Sequence, residues 1–367
     1  MTHIARKLKA MGVVAFKFLL CVSLCVHYAR AFAQLPPQVV VLQYHHVAHD
    51  TPSITSVTPQ VFKEHMQYLS EHHSVIGLHD AIEALKRGED LPANAVAITF
   101  DDGYLNILTN AHPILEDFGF KYTVFVNPDS VGALANHLSW EDIQSMQPLA
   151  DFANHTMGHI HLLERESNES EAQWLKRVMQ NINEAENALA EQLGYSRKWL
   201  AYPYGEFNLA LEEALRDAGY IGFGQQSGVI ANLEQAVPLA RFPSAGRYSK
   251  LDTLKVKMAS IAMPVIAQAG MQHVYQSGES LSMLTLHLSV NSDISLSQMA
   301  CYFKQARIVP SIKTQQNKVL VSVPLEHTFA PGRVRVNCTA PSKAHKGRFY
   351  WHSVPFFTPS NDGTFLE

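Results

Sequence analysis

Two aspartates stand side by side where an apolar run ends. Ala95 to Phe100 is rich in β-branched residues and stops at Asp101-Asp102-Gly103-Tyr104, the pattern of a buried strand emptying into a tight turn. Adjacent carboxylates in that position repel each other unless a cation sits between them or one keeps a proton. An Asp-Gly turn with a spare acid is the plainer account. What weighs against it lies about fifty residues on. There His155 and His159, four positions apart, can turn to one side and share a cation, although each alone reads most simply as a structural or surface histidine. Two histidines and one aspartate from a neighbouring strand end make a facial N,N,O set for a divalent metal, with positions left for water and substrate. Zn²⁺ is the first expectation, with Co²⁺ or Ni²⁺ as alternatives.

The elements that must position these groups alternate. Val39 to Leu42 begins an apolar strand that ends in His45 and His46. Thr58-Pro59 opens a helix with Phe62, Met66 and Leu69 as its stripe, and a second helix near His79–Arg87 ends at Gly88. After the 95–100 strand come a helix near 107–118, a strand at 122–126, a short helix from Ser139 and a long one near 169–193 closed by Gly194. A strand at 198–202 leads into Pro203-Tyr204-Gly205, followed by a helix at 209–218 and short strands at 221–223 and 239–242. Strand–helix alternation predicts a parallel α/β sheet or barrel, in which chemistry collects at the carboxyl ends of the strands. Beyond residue 262 the texture changes to short alternating strands such as 283–288, 319–323 and 333–337, which predicts a small all-β sandwich over 263–367.

Composition narrows the class. The chain has 367 residues, 47% hydrophobic, and a net charge of −4 without a basic stripe, so nucleic acid is not an expected partner. Residues 1–33 read as a secretory signal: Arg6, Lys7 and Lys9 in front, an apolar segment from Met11 to Val26, and Ala31-Phe32-Ala33 before the cut. Lys17 interrupts that segment, which makes it a poor bilayer span, so the mature chain over 34–367 is expected to be exported, periplasmic or extracellular, without stable membrane insertion. Cys21 and Cys25 would leave with the signal. Cys301 and Cys338 remain, a pair that either forms one disulfide or lies as two buried thiols.

At this point the sequence resembles a family. Thr99-Phe100-Asp101-Asp102-Gly103, then His155-Thr156-x-x-His159, then Tyr202-Pro203-Tyr204-Gly205 are similar in order and spacing to three motifs of the polysaccharide deacetylases, carbohydrate esterase family 4, over roughly residues 37–260. The resemblance implies a distorted (β/α) barrel over 34–262, with a metal at the strand ends held by Asp102, His155 and His159. It makes Asp101 the general base and offers the Tyr204 backbone N–H to the tetrahedral oxyanion. The family's acid histidine is expected in a Leu-x-His setting. Leu286-His287 fits by letter but falls in the β region; His45 lies at a strand end ahead of the other motifs, as in the circularly permuted branch that includes poly-β-1,6-N-acetylglucosamine deacetylases, and is the expected acid. His46 next door would face the other side of an extended strand.

The chain also departs from the family. Ala201-Tyr202-Pro203 replaces the usual Arg-Pro-Pro, so the arginine that steadies the base is missing from its place; Arg241 could supply it from a late strand, or serve as a surface or structural ion-pair residue. No tryptophan motif is identifiable. His161 reads as packing behind the histidine motif, and Tyr104, Trp140 and Tyr202 as core aromatics or sugar-stacking surfaces. The resemblance implies a secreted metal-dependent hydrolase that removes N-acetyl groups from a GlcNAc-containing polysaccharide, which would be its partner. Alternatives are an O-acetyl esterase, a small-molecule amidohydrolase, or an inactive glycan-binding protein.

Overall fold

Val39–Tyr44 (β1) and Ala95–Phe100 (β2) are buried along their whole length, as strands covered on both faces must be. The computed structural model describes residues 35–234 and 238–366; the expected signal segment, with Cys21 and Cys25, lies outside them. Tyr122–Val126 (β3), Ala150–Asn154 (β4), Trp199–Ala201 (β5) and Ile221–Phe223 (β6) follow, each parallel to the strand before it. The short strand Phe242–Pro243 (β7) returns to β1, pairing in parallel with Leu42 and Gln43. Just upstream, Leu239 bridges Phe223 of β6 in parallel. Segment 239–243 therefore meets both end strands of the series. A full strand over 239–242 does not form, because the segment crosses from one neighbour to the other within a few residues.

Helices lie between consecutive strands, with starts and stops set locally. In Pro59–His72 (α1) Thr58 accepts from the Val61 N–H and Pro59 takes the first turn. Leu78–Arg87 (α2) ends at Gly88 with φ 66°. The expected 107–118 helix is split: Ile107–Ala111 winds as a wider π turn before His112–Phe118 (α3). Pro113 has no N–H to offer the preceding turn, which accounts for the irregularity there. Trp140–Met146 (α4) carries a capping box from Ser139. Glu171–Leu193 (α5) starts two residues later than its composition suggests because Ser170 and Gln173 form a capping box; its buried stripe is Trp174, Val178, Ile182, Ala185 and Leu189. Leu209–Asp217 (α6) and Leu251–Met258 (α7) complete the α-helices among the described residues.

From Ile261 onward two further sheets form, antiparallel except where Ile261–Ala262 pairs in parallel with Tyr350 and Trp351. Val265–Ala269 (β8), Ser280–Ser289 (β9), Ser311–Gln315 (β12) and Lys318–Thr328 (β13) make a four-stranded sheet in the order β8-β9-β13-β12. Ala300–Phe303 (β10), Ala306–Ile308 (β11), Gly332–Pro341 (β14) and Phe349–Thr358 (β15), with Ile261–Ala262, make a five-stranded one. Alternate residues are buried: Leu284, Leu286 and Leu288 on β9, Val319, Val321 and Val323 on β13. Cys301 and Cys338 are direct partners on β10 and β14, both buried, and are joined as a disulfide. His287 sits within the four-stranded sheet opposite Leu320. The described residues from Pro37 onward pack as one compact unit.

Candidate metal centre and active site

The strand pleat assembles the site. Gln43 and His45 share one face of β1 and its continuation, while Thr99 and Asp101 share the matching face at the end of β2. The side chains meet at Asp101, which is fully buried. Arg241 donates to both of its oxygens, Nη1 to Oδ1 at 2.6 Å and Nη2 to Oδ2 at 2.8 Å. Gln43 Nε2 donates to Oδ2 at 2.6 Å, and His45 Nε2 lies 3.9 Å from that same oxygen. Arg241 is itself fully buried, and Nε donates to the Gly224 carbonyl at 3.0 Å. A planar guanidinium fixed on three sides suits a bidentate carboxylate. Burial alone would raise the Asp101 carboxyl; Arg241, with His155 and His45 nearby, holds it below the usual range.

Asp102 turns the other way. It takes a left-handed backbone (φ 72°) just before Gly103 (φ 74°), a conformation that costs energy in a non-glycine residue and aims its carboxylate away from Asp101's. Gly103 is required, since a Cβ there would stand 2.8 Å from Val126 Cγ1. Asp102 Oδ1 lies 3.1 Å from His155 Nε2 and 3.4 Å from His159 Nε2. The histidine loop leaves β4 through two further left-handed non-glycine residues, Thr156 (φ 72°) and His159 (φ 46°), around Gly158 (φ 73°). Asn127 donates to the His155 and Thr156 carbonyls, and Asn154 accepts from the Thr156 N–H, so the strained turn is held from both sides. His155 Nδ1 bonds the Ala201 carbonyl at 2.8 Å, which fixes its tautomer and leaves the Nε2 lone pair facing Asp102.

These three residues form the metal-competent group that stands out among the described residues, with ligand atoms within 4.8 Å of one another. Asp102 Oδ1 is buried and, among the described residues, has no hydrogen-bond partner. Tetrahedral ligands about 2.0–2.1 Å from an ion are separated by about 3.3 Å. The observed 3.1 and 3.4 Å separations match that spacing. Burial would raise the Asp102 carboxyl, but His155 and the other histidines hold it far below the ordinary range; burial pushes His159 down to about 4, and His155 is raised by Asp102 and Asp101 against its own burial. Ionised carboxylates around a deprotonatable pair of imidazoles are what a divalent cation takes up. The donor set fits one.

Tyr204 follows β5 in a left-handed turn (φ 56°) before Gly205 (φ 71°). Its ring is 4.6 Å from His159 and stacks on His161 at 3.8 Å, and His161 is in turn paired with buried Glu206 at 2.9 Å. The structure thus brings together Asp101, Asp102, His155, His159, His45 and Arg241, with Tyr204 at their side. His46 is buried and stacks on Tyr104 at 3.7 Å, close enough to the site to feel the Asp102 and His45 charges. Tyr202 is a core residue bonded to Glu212, and Trp140 packs against the main core. Three contributors were not anticipated. Gln43 had a signal, a lone amide in an otherwise apolar strand. Arg333 and Arg335, which reach over from β14 to the Tyr204 and Gln225 carbonyls, had none.

Residues 88–222 match the polysaccharide deacetylase family. YxkH of Bacillus subtilis is 27% identical over 198 residues, 53% of this chain and 64% of that relative. The poly-β-1,6-N-acetyl-D-glucosamine N-deacetylase of Staphylococcus epidermidis is 29% identical over 172 residues, 45% of this chain and 59% of its own length. The chain thus spans less than two thirds of the length of these curated relatives. The solved structure of the Streptococcus pyogenes deacetylase PplD in complex with acetate superimposes with a TM-score of 0.54 at 21% identity, covering 61% of this chain and 99% of that one. The fold is that mixed α/β fold; residues 88–222 match the polysaccharide deacetylase domain, and the chain is similar to a poly-β-1,6-N-acetyl-D-glucosamine N-deacetylase.

Proposed function

We propose that this chain is an exported, metal-dependent hydrolase that removes N-acetyl groups from a GlcNAc-containing polysaccharide. In this reading residues 34–262 are a distorted (β/α) barrel closed through segment 239–243, and residues 263–367 are a β-sandwich. The observation that carries the function is the convergence of a metal-competent triad, Asp102, His155 and His159, with an arginine-clamped carboxylate and a histidine 3.9 Å from it. The Cys301–Cys338 disulfide supports export, since such bonds persist in oxidising compartments. Among the described residues no helix is long and apolar enough to cross a membrane.

A divalent ion on the triad, Zn²⁺ first and Co²⁺ or Ni²⁺ next, would supply a Lewis acid and lower the pKa of a bound water. The chain's own residues do the rest. Asp101, kept ionised by Arg241, takes a proton from the attacking water. His45, only partly buried, gives a proton to the leaving amine. The backbone N–H of Tyr204 donates to the oxyanion from its left-handed turn. Arg241 keeps the base in place and ionised.

The test is acetate release from N-acetylglucosamine oligomers of β-1,4 and β-1,6 linkage, from peptidoglycan and from acetylated xylan, with and without metal after chelation. Metal-dependent acetate from an N-acetylated polymer, lost in His45→Ala while metal stays bound, is the expected result. Release from xylan alone would replace the reaction by O-deacetylation. Full turnover in His45→Ala would remove that residue as the acid.

A further inference from the structure

Four cations gather on the side of the site where β14 crosses the loops of the parallel sheet. Arg333 and Arg335, two positions apart, point the same way. Arg333 Nη1 donates to the Tyr204 carbonyl at 2.8 Å, and its guanidinium lies 5.5 Å from the centre of the Tyr204 ring. Arg335 donates to the Gln225 carbonyl at 3.2 Å and to the Tyr248 hydroxyl at 2.7 Å. Arg247 donates to the same hydroxyl at 2.8 Å, and Lys257 from α7 places Nζ 4.7 Å from the Tyr248 ring. Among the described residues no carboxylate is ion-paired with any of the four, although buried Glu206, two positions past Tyr204, feels the Arg333 charge through space.

That imbalance is costly. Lys257 is 7% exposed, and its ammonium, with three protons to donate, has one acceptor, the Pro243 carbonyl at 3.3 Å. Burial pushes it down to about 8, with Arg335 adding repulsion. Burial would raise the Tyr248 hydroxyl, yet Arg335 and Arg247 hold it below its ordinary range. Lys257 is the buried member, Arg335 is half-buried, and Arg247 and Arg333 are exposed; like charges gathered this closely, with no carboxylate paired to them, mark a place for an anion. Arg335 lies about 7 Å along the strand from Arg333, which touches the residue beside His159. The cluster is therefore set to meet a part of the substrate away from the reacting acetamide.

We propose that Arg247, Lys257, Arg333 and Arg335 form an anion subsite, and that the glycan this chain acts on carries a negatively charged substituent, a carboxylate or a phosphate, a short way along from the N-acetyl group removed. The proposal rests on the deacetylase reading and names its substrate class. The same field repels a chain already rich in glucosaminium, so deacetylated stretches are rejected.

The experiment measures binding to metal-loaded His45→Ala, which turns nothing over. Four tetrasaccharides of equal length serve as probes: neutral N-acetylglucosamine, alternating N-acetylglucosamine and N-acetylmuramic acid, a phosphate-bearing N-acetylglucosamine, and a partly deacetylated one. At low salt at least one anionic probe binds about tenfold more tightly than the neutral one, and the deacetylated probe more weakly; 0.3 M salt compresses the series. Which anionic probe leads separates carboxylate from phosphate. Adding Arg247→Gln, which is exposed, or Lys257→Met removes most of the preference and leaves neutral binding unchanged. Equal affinity for all probes, or a preference that survives both substitutions, overturns the proposal. Acetate release by the unmodified chain is followed in parallel. Its absence on every oligomer defeats the deacetylase reading, whereas normal release with equal affinities defeats the anion subsite alone.

Discussion

Replacing Arg241 by Gln removes both hydrogen bonds to Asp101 and leaves a carboxylate of 0% exposure with Gln43 as its one strong donor. Removing one partner of a buried ion pair typically costs about 3–5 kcal/mol, because the remaining charge is neither solvated nor compensated. With an unfolding entropy of about 2 cal/mol/K per residue, a unit of this length has about 0.7 kcal/mol/K, so Tm should fall by about 4–7 °C. The buried carboxylate escapes part of that cost by taking a proton, and a protonated Asp101 cannot act as a base. Turnover should therefore fall by about 10²–10⁴, the usual worth of a positioned base. Thermal unfolding and acetate release at neutral pH check the two halves. Asp101→Asn combined with Arg241→Gln should cost less stability than the sum of the single changes, since the unpaired charge is gone. An Arg241→Gln protein with unchanged Tm and unchanged turnover would refute the clamp.

Asp102→Asn or His155→Ala should lower bound metal from one equivalent to near zero by elemental analysis, with Tm falling toward that of chelated parent. Cys301→Ser with Cys338→Ser opens a loop of 37 residues; chain entropy puts the loss at about 4 kcal/mol at most, seen in denaturant midpoint with metal content unchanged. Buried Glu212, beneath the Tyr202 hydroxyl, is raised to about 7 by burial, so the folded state holds its proton above the unfolded value near 4.5. Its contribution is complete below about pH 4.5 and is lost as pH rises through 7, a span of about 3 kcal/mol. Glu212→Gln should therefore gain stability over the parent at pH 8 relative to pH 5, and equal differences at both would disprove the assignment.

The sequence by itself determined what is local. Hydrophobic alternation marked the buried strands, Thr58-Pro59, Ser139 and Gly194 marked helix ends, and the spacing of Asp101-Asp102 and His155-x-x-x-His159 marked a cation site, because each depends on neighbours within a turn or two. Even the exceptions were local: Ser170 moved the start of α5, and the residues around Pro113 distorted the helix before it. Which of several roles Arg241 would play was open in the sequence, since nothing local ties residue 241 to residue 101. Only β7, lying against β1, brings its guanidinium onto that carboxylate. Gln43 reaches Asp101 because β1 and β2 pair in register, and Asp102 turns from Asp101 to His155 because its backbone is left-handed. Arg333 and Arg335 come more than a hundred residues after the loops they hold, on a strand whose alternation announced a separate β unit. Periodicity tells which side of a strand is buried, not what it is buried against; that is decided when the sheets meet.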